Sequence, residues 1–190
     1  MASFVLSAQN YNSVIIKGND AYKKGDYKTA QLNYQQVLKT NPSNLPAMFN
    51  LGNTLQRQKN AGDASKQYDA VIAVSSDSSI KSKAYYNKGL SLIAQQKLTE
   101  AIESFKQSLL LSPTDNDTRE NLQKAMNDLR QQQQKQSSQQ QPQNKKQQPK
   151  ENKLTQQKAE QYLQQLSDEE KRLQKELQVK QQSTEQQQDW

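Results

Sequence analysis

At 190 residues the chain is long enough for one domain and a tail. Only 32% of the residues are hydrophobic, mean hydropathy is −1.15 and the net charge is +7, which excludes a single core running the whole length. The absence of Cys and His removes disulfides, thiol nucleophiles, thiolate metal sites and the usual neutral-pH acid–base group. Five scattered glycines cannot form a phosphate-cradling loop. No catalytic residue, cofactor site, metal site or small-molecule substrate is expected, and the chain is read as non-enzymatic. Both signs of charge are interspersed despite a pI near 9.4, so a solvated mixed surface is favoured over a nucleic-acid footprint. No apolar run approaches the ~20 residues of a membrane-spanning helix.

The order of the parts begins with residues 1–10, whose apolar Phe4-Val5-Leu6 runs into Ser7-Ala8 without a positive leader. They read either as a signal-peptide remnant or as a frayed N-terminus. An internal repeat follows. Gly18, Gly52 and Gly89 lie 34 and 37 residues apart, and twelve residues after each stands Ala30, Ala64 or Ala101. Four further on come Tyr34, Tyr68 and Phe105, and eight after those Pro42, Ser76 and Pro113. A period near 34 with Gly, Ala, an aromatic and Pro resembles the tetratricopeptide repeat. The resemblance implies an all-α solenoid of three helix pairs, at residues 11–44, 45–78 and 82–115, within a folded region 11–130.

Helical periodicity supports two helices in each unit. Met48, Leu51 and Leu55 in the second unit, and Tyr85 and Leu92 in the third, recur at helical spacing. The glycine lets the second helix approach, the alanine keeps it there, and the aromatic fills space toward the next unit. Lys24-Gly25-Asp26-Tyr27 supplies the first internal turn and Ala61-Gly62-Asp63 the second. Gln96-Lys97-Leu98 has no glycine and predicts a tighter or more strained third turn. Ser76-Asp77-Ser78-Ser79 predicts a longer loop, or an extra turn on the helix ending near Val74. A capping helix is predicted over 117–133, with Leu122, Ala125, Met126 and Leu129 on one face and Asp115, Asn116 or Asp117 at its start.

Past residue 130 the composition changes. Ten of the twelve aromatic residues precede that point, and 23 of the 34 glutamines follow it. Residues 131–153 read as a low-complexity linker, disordered apart from continuation of the preceding helix. An amphipathic helix is predicted over 154–180, with Tyr162, Leu163, Leu166, Leu173 and Leu177 on a face that docks either on a partner or on the repeats. Residues 181–190 read as a disordered C-terminus.

Phe49-Asn-Leu-Gly-Asn53, the run from Ser112 to Leu122, Ala159-Glu-Gln-Tyr-Leu-Gln-Gln-Leu166 before Glu169-Glu170, and the final Asp189-Trp190 resemble the BatC proteins of bacterial aerotolerance (Bat) operons. The resemblance implies an exported envelope protein encoded beside membrane-anchored von Willebrand A-domain proteins, hence a periplasmic or envelope location, or a cytoplasmic one if Met1 is the true start.

In a solenoid of this kind the first helices line the inner surface. The register places Asn12, Ile15, Asn19, Tyr22, Phe49, Asn53, Gln56, Lys83, Tyr86, Leu90 and Ile93 there. Asn19 and Asn53 share a register, and each amide is expected to pair with both donor and acceptor of an extended peptide backbone. Clamping a terminal carboxylate needs Lys or Arg where Ile15, Tyr86 and Leu90 stand, so that use is rejected. The expected function is a protein-interaction scaffold, with other proteins as partners. The alternative is a basic nucleic-acid-binding repeat protein, which needs Lys and Arg gathered on one face, and the inner surface offers only Lys83.

Overall fold

The computed structural model describes residues 2–140, with Asp168, Lys171, Arg172 and residues 174–176; for 2–10 and 136–140 the backbone alone is described. Seven helices follow one another: α1 (Ala2–Lys23), α2 (Tyr27–Thr40), α3 (Leu45–Arg57), α4 (Ala61–Val74), α5 (Ser78–Ala94), α6 (Leu98–Leu111) and α7 (Asn116–Gln140). The chain divides into two units, Met1–Met126 and Asn127–Trp190. The first holds three antiparallel helix pairs, α1/α2, α3/α4 and α5/α6, and the start of α7. This is the all-α solenoid of three pairs with a capping helix that the repeat implies. In the second unit α7 continues through the first ten glutamine-rich residues to Gln140, and the described residues among 168–176 are helical. The stripe Tyr162, Leu163, Leu166, Leu173 and Leu177 lies outside the described residues, as do the linker beyond 140 and the C-terminus.

The helix ends follow local chemistry. Asp26, Asn44, Asn60 and Asp77 each accept a backbone N–H of the first turn of the helix they precede, satisfying a donor that has no partner within the helix. Asp115 does the same for α7 through the N–H of Thr118. Lys97, at the same place in the third pair, provides no side-chain cap.

The three turns inside the pairs share one geometry. Gly25 at φ 79°, Lys59 at φ 62° and Gln96 at φ 61° occupy the left-handed region. The following N–H reaches back to Ala21, Leu55 or Leu92 respectively, which is the glycine-type helix stop. The third turn is strained, as its sequence predicts. The second is strained too, because Gly62 lies inside α4 and Lys59 takes the position it was expected to serve. A non-glycine residue there costs roughly 1–2 kcal/mol, so Gln96→Gly and Lys59→Gly are each expected to raise stability by ~1 kcal/mol. Urea midpoints of the single variants check this, and unchanged or lowered midpoints refute it.

The three additional residues before the third unit make neither a long loop nor an extra turn on α4, which ends at Val74. They lengthen α5 at its N-terminus, to 17 residues against 13 in α3. Asp77 caps that longer helix, and the connection is only residues 75–77. The core of the pairs is small-to-large matched: Ala30, Ala64 and Ala101 are fully buried, as are Tyr34, Tyr68 and Phe105. Leu122, Ala125, Met126 and Leu129 on α7 are buried as well.

Candidate functional site: the surface of the first helices

The aromatic of each pair lies on the glycine of its own pair, a correction to the expectation that it faces the next one. A Cβ on Gly18 would stand 2.6 Å from Tyr34, one on Gly52 2.8 Å from Tyr68, and one on Gly89 2.4 Å from Phe105. The ring therefore occupies the place a side chain would take, and the two helices close over it. Its para position points out between the first helices. The Tyr34 hydroxyl donates to Asn19 Oδ1 at 2.7 Å, and the Tyr68 hydroxyl to Asn53 Oδ1 at 2.8 Å, with Gln56 Oε1 at 3.2 Å. Burial pushes the Tyr34 phenol up to about 12 and raises that of Tyr68 as well, so both stay protonated and act as donors at neutral pH.

The same carbonyls also link consecutive pairs. Asn50 Nδ2 on α3 donates to Asn19 Oδ1 on α1 at 2.9 Å, and Asn87 Nδ2 on α5 donates to Asn53 Oδ1 on α3 at 3.2 Å. On α7, Asn121 Nδ2 meets the Tyr86 hydroxyl at 3.3 Å. An amide ladder thus crosses the four first-position helices. Asn50, Asn87 and Asn121 are absent from the expected set of lining residues. Their signal was in the sequence: Asn50 and Asn87 stand two residues before the repeat glycines, and Asn121 follows Asn87 by 34 residues.

The third pair drops both members of the bond together. Phe105 has no hydroxyl, and Leu90 stands where Asn19 and Asn53 do. A buried phenol needs an acceptor and a buried amide carbonyl needs a donor, so losing both leaves neither unsatisfied. The first pair lacks the other half of the joint, because Ile16 replaces the donor amide and is 57% exposed.

The expected lining residues divide as follows. Asn19, Tyr22, Phe49, Asn53, Gln56, Tyr86, Leu90 and Ile93 are half-buried, and Asn12 and Lys83 are exposed. Ile15 is corrected: it is 9% exposed and belongs to the buried core with Ala30, Tyr34 and Val37, because its short distance from Gly18 turns it toward the second helix. Asn19 and Asn53 are corrected in chemistry, since their carbonyls are taken up internally and cannot also accept from a peptide. Phe49 meets Tyr68 edge-on at 5.8 Å, and Tyr86 lies tilted against Phe105 at 6.1 Å. Arg57 Nε donates to the Tyr22 hydroxyl at 3.2 Å. Burial, then Asp117 and Asp115, raise the Tyr86 phenol above its ordinary value. Among the described residues no helix is long and apolar enough to cross a membrane.

These features define a helical-repeat domain of the tetratricopeptide and armadillo-like kind. Residues 14–110, just over half of the chain, match the model of the TT21 fifth ARM repeats domain, and the chain belongs to that family. No curated protein matches. Among solved structures it is similar to the first TPR of Spaghetti (RPAP3) bound to the HSP90 peptide SRMEEVD, with 27% identity and a TM-score of 0.59 over 64% of this chain and 94% of that one. The first TPR domain of human RPAP3 is 27% identical, with a TM-score of 0.57 over 63% of this chain and 91% of that one. The N-terminal domain of stress-induced protein-1 from C. elegans shares the fold at 20% identity, with a TM-score of 0.58 over 63% and 96%.

Proposed function

We propose that this protein is a non-enzymatic interaction scaffold that holds an extended segment of a partner protein along the surface of α1, α3 and α5. The observation that carries the reading is the juxtaposition on that surface of half-buried aromatics, Phe49 and Tyr86, with the amide ladder. Aromatic anchors provide desolvated contact area, while ordered amides read a backbone. The peptide-bound RPAP3 domain supports it. The resemblance of the linker and tail to BatC proteins extends the proposal to a location in a bacterial periplasm or envelope, with membrane-anchored von Willebrand A-domain proteins as partners.

The test is capture from the native cell envelope by the full chain and by a Phe49→Ala, Tyr86→Ala variant. A desolvated aromatic anchor carries ~2 kcal/mol or more of binding energy, so the double variant is expected to lose its captured partner while keeping a cooperative helical melt. A folded double variant that captures the same proteins as the parent refutes the groove. Recovery of the protein in the cytosolic fraction of its own cells refutes the envelope.

A further inference from the structure

The three pairs turn along one edge. Arg57 Nε, at the end of α3, donates to the Tyr22 hydroxyl at the end of α1 at 3.2 Å, and Gln95 Nε2, just after α5, donates to the Ala61 carbonyl at the start of α4 at 3.1 Å. The first two turns, residues 23–28 and 57–63, carry five cations and two carboxylates. Lys23, Lys24, Lys28, Arg57 and Lys59 are all exposed, and none of them forms an ion pair among the described residues. Both carboxylates are engaged locally: Asp26 accepts the Thr29 N–H, and Asp63 accepts from Asn60 and Lys66. In the third turn Lys97 is balanced by Glu100 at 3.8 Å. The opposite edge, residues 38–46, 74–83 and 111–120, holds four cations and four carboxylates. Folding thus segregates charge that is interspersed along the sequence.

Lys23 and Arg57 answer the negative ends of α1 and α3, but two of the five cations stand against local preference. Lys28 lies in the first turn of α2, where the helix dipole opposes positive charge. Lys59 holds at φ 62° the left-handed conformation that Gly25 takes in the first turn. Local costs kept at two neighbouring positions of one sign point to a use beyond folding. We propose that this edge docks on the surface of an anionic lipid bilayer, with Lys23, Lys24, Lys28, Arg57 and Lys59 against the lipid phosphates. A row of turns meets a plane at several points at once, and each exposed cation near such a surface raises affinity about fivefold. A nucleic-acid strand fits less well. Tyr22 and Tyr27, the rings at this edge, are half-buried and meet edge-on at 5.4 Å, so they offer no platform for stacked bases. Docking by the turns leaves the surface of α1, α3 and α5 open and does not depend on the groove.

The full chain is sedimented with vesicles of phosphatidylglycerol mixed with phosphatidylcholine, and with vesicles of phosphatidylcholine alone. Binding is expected on the first and not on the second, and it is expected to weaken as salt is raised. Lys24→Gln, Lys28→Gln and Lys59→Gly combined are expected to lower partitioning by about tenfold or more. Lys39→Gln, Lys81→Gln and Lys83→Gln combined remove the same charge from the opposite edge and are expected to lower it by less than about twofold. Lys59→Gly alone separates docking from folding: its urea midpoint is expected to rise while its partitioning falls about fivefold. No binding to the anionic vesicles, equal binding to the neutral ones, or equal losses in the two triple variants overturns the proposal. If the first triple variant loses affinity for a single-stranded oligonucleotide while its vesicle binding is unchanged, the edge belongs to nucleic acid and the membrane reading is overturned.

Discussion

Phe105→Ala is expected to remove about 3–5 kcal/mol of stability, a large share of the roughly 5–15 kcal/mol that holds a domain of this size folded. The ring is fully buried and fills the space above Gly89, a residue with no side chain to move into the vacancy. Its other face meets Tyr86, whose ring is anchored on α5. The cavity left by truncation therefore stays largely open, the condition under which a large-to-small change is most damaging. Urea denaturation of the full chain measures the change. A midpoint shift equivalent to less than ~1 kcal/mol would mean that the pair collapses around the missing ring, and that the aromatic is filler and not the spacer of the repeat. Tyr34→Ala and Tyr68→Ala are expected to match it, with the added loss of the inward bond to Asn19 or Asn53.

Gly89→Ala is expected to change sign with its background. Alone it destabilises by about 1–3 kcal/mol, because the new Cβ would lie 2.4 Å from Phe105 Cε1 and 2.7 Å from Cδ1. In the Phe105→Ala background that obstacle is gone. Alanine then replaces glycine in a helix interior, which favours the folded state by about 0.5–1 kcal/mol. A double-mutant cycle reads this as a coupling well above the few tenths expected of independent sites. If Gly89→Ala has the same effect in both backgrounds, the ring is not the reason for the glycine.

The repeat was legible because its spacing elements are single residues with few substitutes. Gly18, Gly52 and Gly89, the three alanines, and Tyr34, Tyr68 and Phe105 each answer a steric demand that recurs once per pair, so period and side-chain size reveal them. The amides of Asn50, Asn87 and Asn121 answer no such demand. Asparagine is equally at home on a solvated helix face, and only the partner across the inter-pair gap gives it a role. Ile15 was misplaced for a related reason: register alone does not tell a residue on the edge of the inner face from one turned toward the second helix. Gly62 suggests the turn because glycine is the usual left-handed residue, yet Lys59 bears that conformation and Gly62 lies in the first turn of α4. The three additional residues of the third unit looked like a loop because Ser and Asp favour loops, but Asp77 caps a helix equally well.

The ladder also imposes an order on the units, as couplings of distinct gender order the carriages of a train. The second unit has both fittings, a donor amide at Asn50 and an acceptor at Asn53, so a copy of residues 45–78 inserted after itself would join to its own kind without any new contact. The first unit has only the acceptor, Asn19, with Ile16 where the donor would be. The third has the donor, Asn87, but Leu90 where the amide acceptor would be, and its link to α7 passes through the Tyr86 hydroxyl instead. Two hydrophobic residues therefore designate which unit leads and which closes the row. Lengthening this protein is a matter of duplicating its middle, whereas duplicating either flank would bring an isoleucine or a leucine to a joint built for an amide.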